Sequence, residues 1–267
     1  MELGKKDFIC KNLILEPLAS SMAVLSEEEM EAGVALIDIG GGTTDIAIFY
    51  ENIIRHTAVI PFGGNIVTAD IKQGCTLMHQ QAELLKTKFG SALAEEMNAN
   101  EIISIPGLRN RPAKEISIKT LSQIIQARME EIIELVHAEL IASGYTKRLA
   151  GGLVITGGGS MLKHVKPLFE LKTGMDARIG YPNEHLGKCK IDAVKSPMYA
   201  TSIGLVLAGF QALDSREKRY SEIKGKQQTI ITKQPKKNDM TGTNLFKNII
   251  DKTKNLLMDD FDDKTDY

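Results

Sequence analysis

The run Asp-Ile-Gly-Gly-Gly-Thr-Thr-Asp at 38–45 has the residue types that handle a metal-bound polyphosphate. Three successive glycines (Gly40, Gly41, Gly42) between strands let the backbone approach phosphate oxygens and turn several N–H groups toward them, with no Cβ in the way. Asp38 and Asp45 stand at the strand ends flanking the turn, where carboxylates suit a hydrated Mg²⁺ that prefers oxygen ligands and keeps several waters. Thr43 and Thr44 add hydroxyls for phosphate or for those waters. A glycine-rich hairpin with solvated carboxylates is the plainer alternative. It competes evenly for three glycines alone, and poorly once two acids and two threonines bracket them.

Two further groups could contribute. In VITGGGSML (154–162) a strand runs into Gly157, Gly158 and Gly159 and then into a helix carrying Ser160 and Met161, a turn with exposed N–H donors. Many α/β proteins carry such a turn. Glu83 and Lys86, three apart on one helix face, could reach an adenosine, or could be a surface ion pair worth a few tenths of a kcal/mol.

The elements that must position these groups are legible as patterns. VALIDIG (34–40), TDIAIFY (44–50) and ENIIRHTAVI (51–60) read as an antiparallel meander. The spacing then predicts one helix from Asn65 to Lys88, stopped at Gly90. EIISI (101–105) and EISIK (115–119) read as short strands joined by PGLRNRPAK. Leu121, Ile124, Ile125, Met129, Ile132, Ile133, Val136 and Leu140 then mark a long amphipathic helix ending at Gly144. His137 on that helix reads as a surface residue. YATSIGLVLAGFQAL forms an apolar closing helix.

Beyond Leu213 the composition turns polar and basic, and 214–243 reads as a flexible linker. In the segment that follows, Leu245, Phe246, Ile249, Ile250, Leu256 and Leu257 fall within one helical arc of about 140°. Such a face could lie on a membrane or pack on a protein. An acidic end, 259–267, succeeds it.

The whole chain has 267 residues, 43 % hydrophobic and 25 % charged, with a net charge of −1. That balance gives no basic field for nucleic acid. Three scattered cysteines, Cys10, Cys75 and Cys189, make neither a disulfide framework nor a metal motif. No apolar run approaches the roughly 20 residues of a membrane span, so a cytosolic protein is expected unless something other than a span holds it to a membrane.

Taken in order, EPLASSMAV (16–24), DIGGGTTDIAI (38–48), PFGG (61–64), AELLK (82–86) and VITGGGSML (154–162) resemble the second-half motifs of the actin and DnaK-type chaperone superfamily. The EPLAS phrase, the PFGGN step into a helix, the Arg-Pro-rich loop and PMYATSIGL make the chain most similar to the FtsA family of cell-division proteins, over about residues 12–213. The resemblance implies an α/β, actin-like (ribonuclease H-like) second domain with an inserted α+β subdomain and a C-terminal amphipathic helix. On that pattern residues 1–30 are a remnant of the first domain, 31–65 and 150–213 bind nucleotide, and 66–149 are the insertion. Residues 214–243 are then the linker, 244–258 the membrane helix and 259–267 an acidic tail.

The same resemblance implies ATP and Mg²⁺ as cofactors. Asp38 and Asp45 would hold the metal through water, and Gly41, Gly42 and Thr43 would touch the β- and γ-phosphates. Gly63 and Gly64 would lie beside the phosphates or ribose. Glu83 and Lys86 would meet the ribose and adenine edge, and Gly158, Gly159 and Met161 would close over the base. The implied partners are the C-terminal peptide of the tubulin-like protein FtsZ, received by 66–149, further copies in actin-like filaments, and membrane lipids. The place would be the cytoplasmic face of the inner membrane at the division site. Arg109, Arg111, Lys119 and Arg128 offer donors to an acidic peptide. The first domain's own phosphate hairpin is not among the motifs matched, so weak or absent ATP binding is expected of this chain alone, with at most slow hydrolysis in a complete protein. A pilus-assembly-type actin-like adaptor and a kinase of the same superfamily are the rival functions.

Overall fold

A computed structural model describes residues 12–98, 100–107, 112–182 and 192–231, with backbone alone for 217–231. Its centre is a five-stranded mixed sheet of order β3-β2-β1-β6-β7. Strands β1 (Val34–Ile39), β2 (Thr44–Tyr50) and β3 (Ile53–Ile60) form the expected antiparallel meander. Strands β6 (Leu153–Thr156) and β7 (Ala177–Ile179) continue the sheet in parallel on the other side of β1.

Strand β1 is buried along its whole length because the sheet is covered on both faces, and its near-continuous apolar run is what such a strand requires. The two-residue period sorts its side chains. Ala35, Ile37 and Ile39 join the larger core with Leu121, Ile125 and Phe169. Val34 and Leu36 join a smaller one with Ala23, Val24 and Ala200. Asp38 shares the side of Val34 and Leu36, facing helix α1 (Glu16–Val24). The short helix α2 (Glu27–Ala32) follows, capped by Ser26 and Glu29 in reciprocal hydrogen bonds.

The single helix expected over 65–88 is two: α3 (Gly64–Gly74) and α4 (His79–Phe89). The break is chemical. Thr76 adopts a left-handed φ of 49°, Leu77 N–H returns to Lys72 O at 2.9 Å, and Gln81 Oε1 accepts from Met78 N–H to start α4. Gly90 ends α4, though its φ of −65° needs no glycine. A Cβ there would come within 2.4 Å of Lys86 O and 2.8 Å of Ile125 Cδ1, so close approach is the reason.

Strands β4 (Ile102–Ile105) and β5 (Lys114–Ser117) pair in a separate two-stranded sheet. Helix α5 (Ile118–Ala142) then runs under α3 and α6 (Val165–Thr173), burying Leu121, Ile125, Met129, Ile132, Ile133, Val136 and Leu140 as their spacing predicts. The stretch after Gly157 is not a full helix but one 3₁₀ turn, Gly158–Met161.

The closing helix α7 extends over Ala200–Ile231, so the linker reading of 214–243 is corrected up to Ile231. Arg216, Glu217, Lys218, Glu222, Lys224, Gln227 and Gln228 are good helix formers, and with Tyr220, Ile223, Ile230 and Ile231 as the apolar residues of 214–231 the segment shows little apolar periodicity to betray it. The chain divides into two compact units, Met1–Asp214 and Ser215–Tyr267, and the description of the second is this helical backbone. The amphipathic segment with Leu245, Phe246, Ile249, Ile250, Leu256 and Leu257, and the acidic tail, lie outside the described residues. So do Cys10, Cys189, Arg109 and Arg111.

Candidate functional site

The hairpin between β1 and β2 brings its two acids face to face. Asp38 and Asp45 are direct cross-strand partners, and both are buried. Asp38 Oδ2 accepts from Ser20 Oγ at 2.7 Å and, more weakly, from Thr201 Oγ1 at 3.4 Å. Ser20 stands on α1 and Thr201 on α7, so two helices distant in sequence hold one carboxylate. Burial pushes the Asp38 carboxyl above the ordinary range, and the neighbouring Asp45 adds to the rise against the lowering effect of the two hydroxyls. Glu16, at the start of α1, is also raised, first by burial and then by Asp45 and Asp38. Asp38 and Glu16 are thus both raised with an acidic neighbour contributing, and no cation is among the groups that shift these two.

The tip is shaped by what packs behind it. Gly40 N–H closes the hairpin on Thr43 O at 2.9 Å. The first N–H groups of α3 then turn back onto the tip: Gly64 N–H donates to Gly40 O at 2.9 Å and Asn65 N–H to Gly41 O at 2.7 Å. Gly63 sits so close that a Cβ would lie 2.6 Å from Gly40 O. Gly157, with φ 82°, leaves no room either, since its Cβ would meet Asp38 Oδ1 at 2.3 Å. Gly159 abuts Ile39 in the same manner, at 2.3 Å. These three glycines are required by the chain's own packing.

Gly42 and Gly158 are different. A Cβ on either would meet nothing within 4 Å, and their backbone leaves the left-handed region empty, so nothing in the chain itself demands glycine there. Room is left above the hairpin tip and above the 157–161 turn. An oxygen-rich anion with a hydrated cation fits such a place: bare backbone beneath, and beside it buried carboxylates that have no cationic partner among the described residues.

Several hydroxyls expected to face a ligand are already used. Thr44 is fully buried and donates to Phe62 O at 2.8 Å, so it ties β2 to the segment before α3. Ser160 is buried and donates to Gly157 O at 2.7 Å, stabilising the 3₁₀ turn. Thr43 is exposed at the tip and donates to Asp45 Oδ2 at 3.0 Å. Met161 is exposed beside the turn, with Ser196 Oγ donating to its sulfur at 3.2 Å.

Glu83 and Lys86 on α4 form no simple surface pair. The Lys86 side chain is only 15 % exposed, and its Nζ reaches Glu83 Oε2, Gly64 O and Thr68 Oγ1, each at 2.8 Å. Thr68 Oγ1 donates to Glu83 Oε2 at 2.5 Å. Burial pushes the Glu83 carboxyl up, but the Lys86 and Thr68 hydrogen bonds and the Lys86 charge outweigh it and hold the group below the ordinary range. The network joins α4 to the first turn of α3, and through Gly64 to the hairpin. Sequence reasoning did not single out Ser20, Thr68 or Thr201. Ser20 and Thr201 lie inside the EPLAS and PMYATSIGL phrases, which were the available signal. Thr68 had none beyond its place on α3.

The region between β3 and β6 holds α3, α4, the β4–β5 sheet and α5. A cavity of about 750 Å³ opens there, among Lys72, Gln73, Leu77, Met78, Pro106 and Lys114. Two of the basic side chains proposed for an acidic ligand are otherwise engaged. Arg128 grips Asp70 through Nε at 2.6 Å and Nη2 at 3.1 Å and also meets Glu131. Lys119 pairs with Glu95 at 3.2 Å.

The family model described as "Cell division protein FtsA" matches residues 35–204. Cell division protein FtsA of Pseudomonas aeruginosa is 44 % identical over 200 residues, covering 75 % of this chain and 48 % of that protein. Its counterpart from Neisseria meningitidis is 42 % identical over 197 residues, covering 73 % and 47 %. The chain thus spans about half the length of these curated relatives. Among solved structures, MreB5 of Spiroplasma citri bound to ADP is similar in fold, with a TM-score of 0.58 at 20 % identity over 76 % of this chain and 60 % of that one. The mixed sheet, its insertion and these likenesses together place the chain in the FtsA family of cell-division proteins, with an actin-like α/β fold.

Proposed function

We propose that the chain contributes the second-domain half of an ATP site to an FtsA-type protein that tethers FtsZ filaments to the cytoplasmic membrane. The observation that carries this reading is the facing pair Asp38–Asp45 beneath a glycine tip whose outer positions, Gly42 and Gly158, open onto empty space. Gly41, Gly42 and Thr43 would present N–H groups to the β- and γ-phosphates, while Gly40, whose N–H closes the hairpin on Thr43 O, would let the backbone come close. Asp38 and Asp45 would hold Mg²⁺ through its waters. That mode suits the side chains present, because among the described residues no three His, Cys, Asp or Glu groups could ligate a bare ion. Bound Mg²⁺ would neutralise phosphate charge and orient the chain of phosphates. Gly64, held by Lys86, would stand beside the ribose, with Gly158, Gly159 and Met161 over the base.

Residues 31–65 with 150–213 are proposed as the nucleotide subdomain, and 66–149 as the insertion whose cavity receives the FtsZ C-terminal peptide. Lys72 and Lys114, the latter also donating to Cys75 O, line that cavity and would add to Lys119 and Arg128 the charge an acidic peptide needs. Membrane attachment is assigned to the apolar face of 244–258. Among the described residues no helix is long and apolar enough to cross a membrane.

Manganese serves as a reporter for the metal. Electron paramagnetic resonance of Mn²⁺ titrated into the chain with ADP is expected to show a bound population that needs both the nucleotide and the two acids. Asp38→Asn and Asp45→Asn should each remove it; retention in both variants would end the metal assignment. Vesicle co-sedimentation tests the tether. Replacing Phe246 and Ile250 by Glu should abolish pelleting with anionic vesicles, and unchanged pelleting would show that the apolar face is not the anchor.

A further inference from the structure

The segment after α4 and the turn before α6 meet at a polar contact the nucleotide reading does not use. Ser91 is fully buried, and its Oγ lies 2.9 Å from His164 Nδ1. The same Oγ donates to Leu93 O at 2.9 Å and accepts from Leu93 N–H at 3.1 Å. A hydroxyl has one proton. If that proton goes to Leu93 O, the His164 nitrogen must itself carry the hydrogen, and all three partners are satisfied. If it goes to His164, the half-buried Leu93 carbonyl loses this donor. The satisfied arrangement is protonated at Nδ1.

His164 is also one of four non-glycine residues with positive φ among the described residues, at 60°, immediately before α6. An imidazole that holds a buried hydroxyl gives a reason for this backbone to stay there. The contact is reinforced by Ala92 N–H donating to Lys163 O at 2.8 Å. On the far side, Ala94 N–H donates to Gln126 Oε1 of α5 at 2.8 Å. Gly90 presses between Lys86 O and Ile125, with Leu162 next nearest.

These contacts connect the two walls of the proposed nucleoside site. One wall is α4, carrying Glu83 and Lys86, whose chain reaches Ser91 two residues past its end. The other is the turn Gly158–Met161, whose chain reaches His164 three residues on. We infer that Ser91 and His164 form a latch that sets the separation of these two walls, making His164 a positioning residue for the nucleoside that touches no ligand itself. The inference rests on the nucleotide reading of the same site and adds the element that holds it open to the correct width.

The test is nuclear magnetic resonance on the chain as it stands, in two arms. Without ligand, the His164 ring should show a protonated Nδ1. The amides of Gly158, Gly159 and Ser160 should exchange more slowly in the wild type than in Ser91→Ala. With millimolar adenosine, the wild type should shift the amides of 158–161 and of Glu83 and Lys86, and Ser91→Ala should weaken this binding by about tenfold, the scale of one lost hydrogen bond. His164→Asn tolerates the backbone and keeps a donor, so it should bind near the wild-type level. His164→Gly relaxes the backbone but lacks the donor, and should resemble Ser91→Ala. A ring protonated at Nε2 only, or equal binding by the glycine and asparagine variants, would overturn the latch. A wild type that ignores adenosine would overturn the positioning role while the first arm shows whether the contact itself exists.

Discussion

At the scale of single residues, the glycines of the site divide into two classes that mutation can separate. Gly63→Ala places a methyl 2.6 Å from Gly40 O and 2.9 Å from Gly41 O, contacts that backbone cannot yield cheaply. Urea denaturation is expected to show a loss of about 2–4 kcal/mol, the range for forced overpacking at a tight turn. Gly42→Ala meets no protein atom within 4 Å, so stability should stay within about 0.5 kcal/mol while Mg-nucleotide binding falls. Equal stability losses would mean that the hairpin tip is built for its own folding.

Asp38 gives a pH dependence whose sign follows from its raised carboxyl. A folded state that holds this proton more tightly than the unfolded chain gains stability as pH falls, and loses it as pH rises from the ordinary aspartate value through the raised one. Asp38→Asn removes that loss and still accepts from Ser20. The variant should therefore be more stable than the wild type near pH 7, with the gap shrinking as pH is lowered toward about 4. A gap that widens on acidification would contradict the cause assigned to the shift. Glu83 has the opposite sign. Its lowered carboxyl contributes stability above the ordinary value that is lost as pH falls through the lowered one, so the two groups are best measured by separate variants.

At the scale of elements, the α3–α4 pair is held to the hairpin by Lys86. Lys86→Met keeps the length of the side chain but removes the donor to Gly64 O and Thr68 and leaves Glu83 without its cation. Thermal or urea unfolding should show a cost of about 1–3 kcal/mol, and amide exchange should rise first at Gly64 and Asn65. Arg128 belongs to this scale too. Because it clamps α5 to Asp70 on α3, Arg128→Leu should lower stability by about 1 kcal/mol, as urea unfolding would show.

Much of this scale was legible in the residues. The near-continuous apolar runs of 34–50 and the helical period of 121–140 report burial directly, and these elements stand where their patterns put them. The α3–α4 break was not, because the Gly-Cys-Thr turn interrupts the apolar period for only a few positions and its decisive feature is a left-handed Thr76. The helical course of α7 beyond Leu213 is illegible for the reverse reason, since a helix with few and widely spaced apolar residues leaves little periodic trace. At the site, the paired acids and glycines could be picked out, whereas the burial of Thr44 and Ser160 could not. A hydroxyl facing a ligand and one donating to a backbone carbonyl look alike in a string of letters.

At the scale of the molecule, the β1–β2 tip and the 157–161 turn are proposed as two sides of one nucleotide place, braced from behind by α1, α3, α4 and α7. The chain spans about half the length of its curated relatives, and the measurement must find position as well as binding. Magnetic resonance mapping with Mg-ADP does both. Amides of Gly40–Thr44 and Gly157–Met161 should shift together, only when Mg²⁺ is present, and Asp45→Asn should silence the hairpin set. Shifts confined to the cavity lined by Lys72 and Lys114, or hairpin shifts that persist without the metal, would contradict the claim that two facing acids and a bare glycine tip hold metal-bound phosphate.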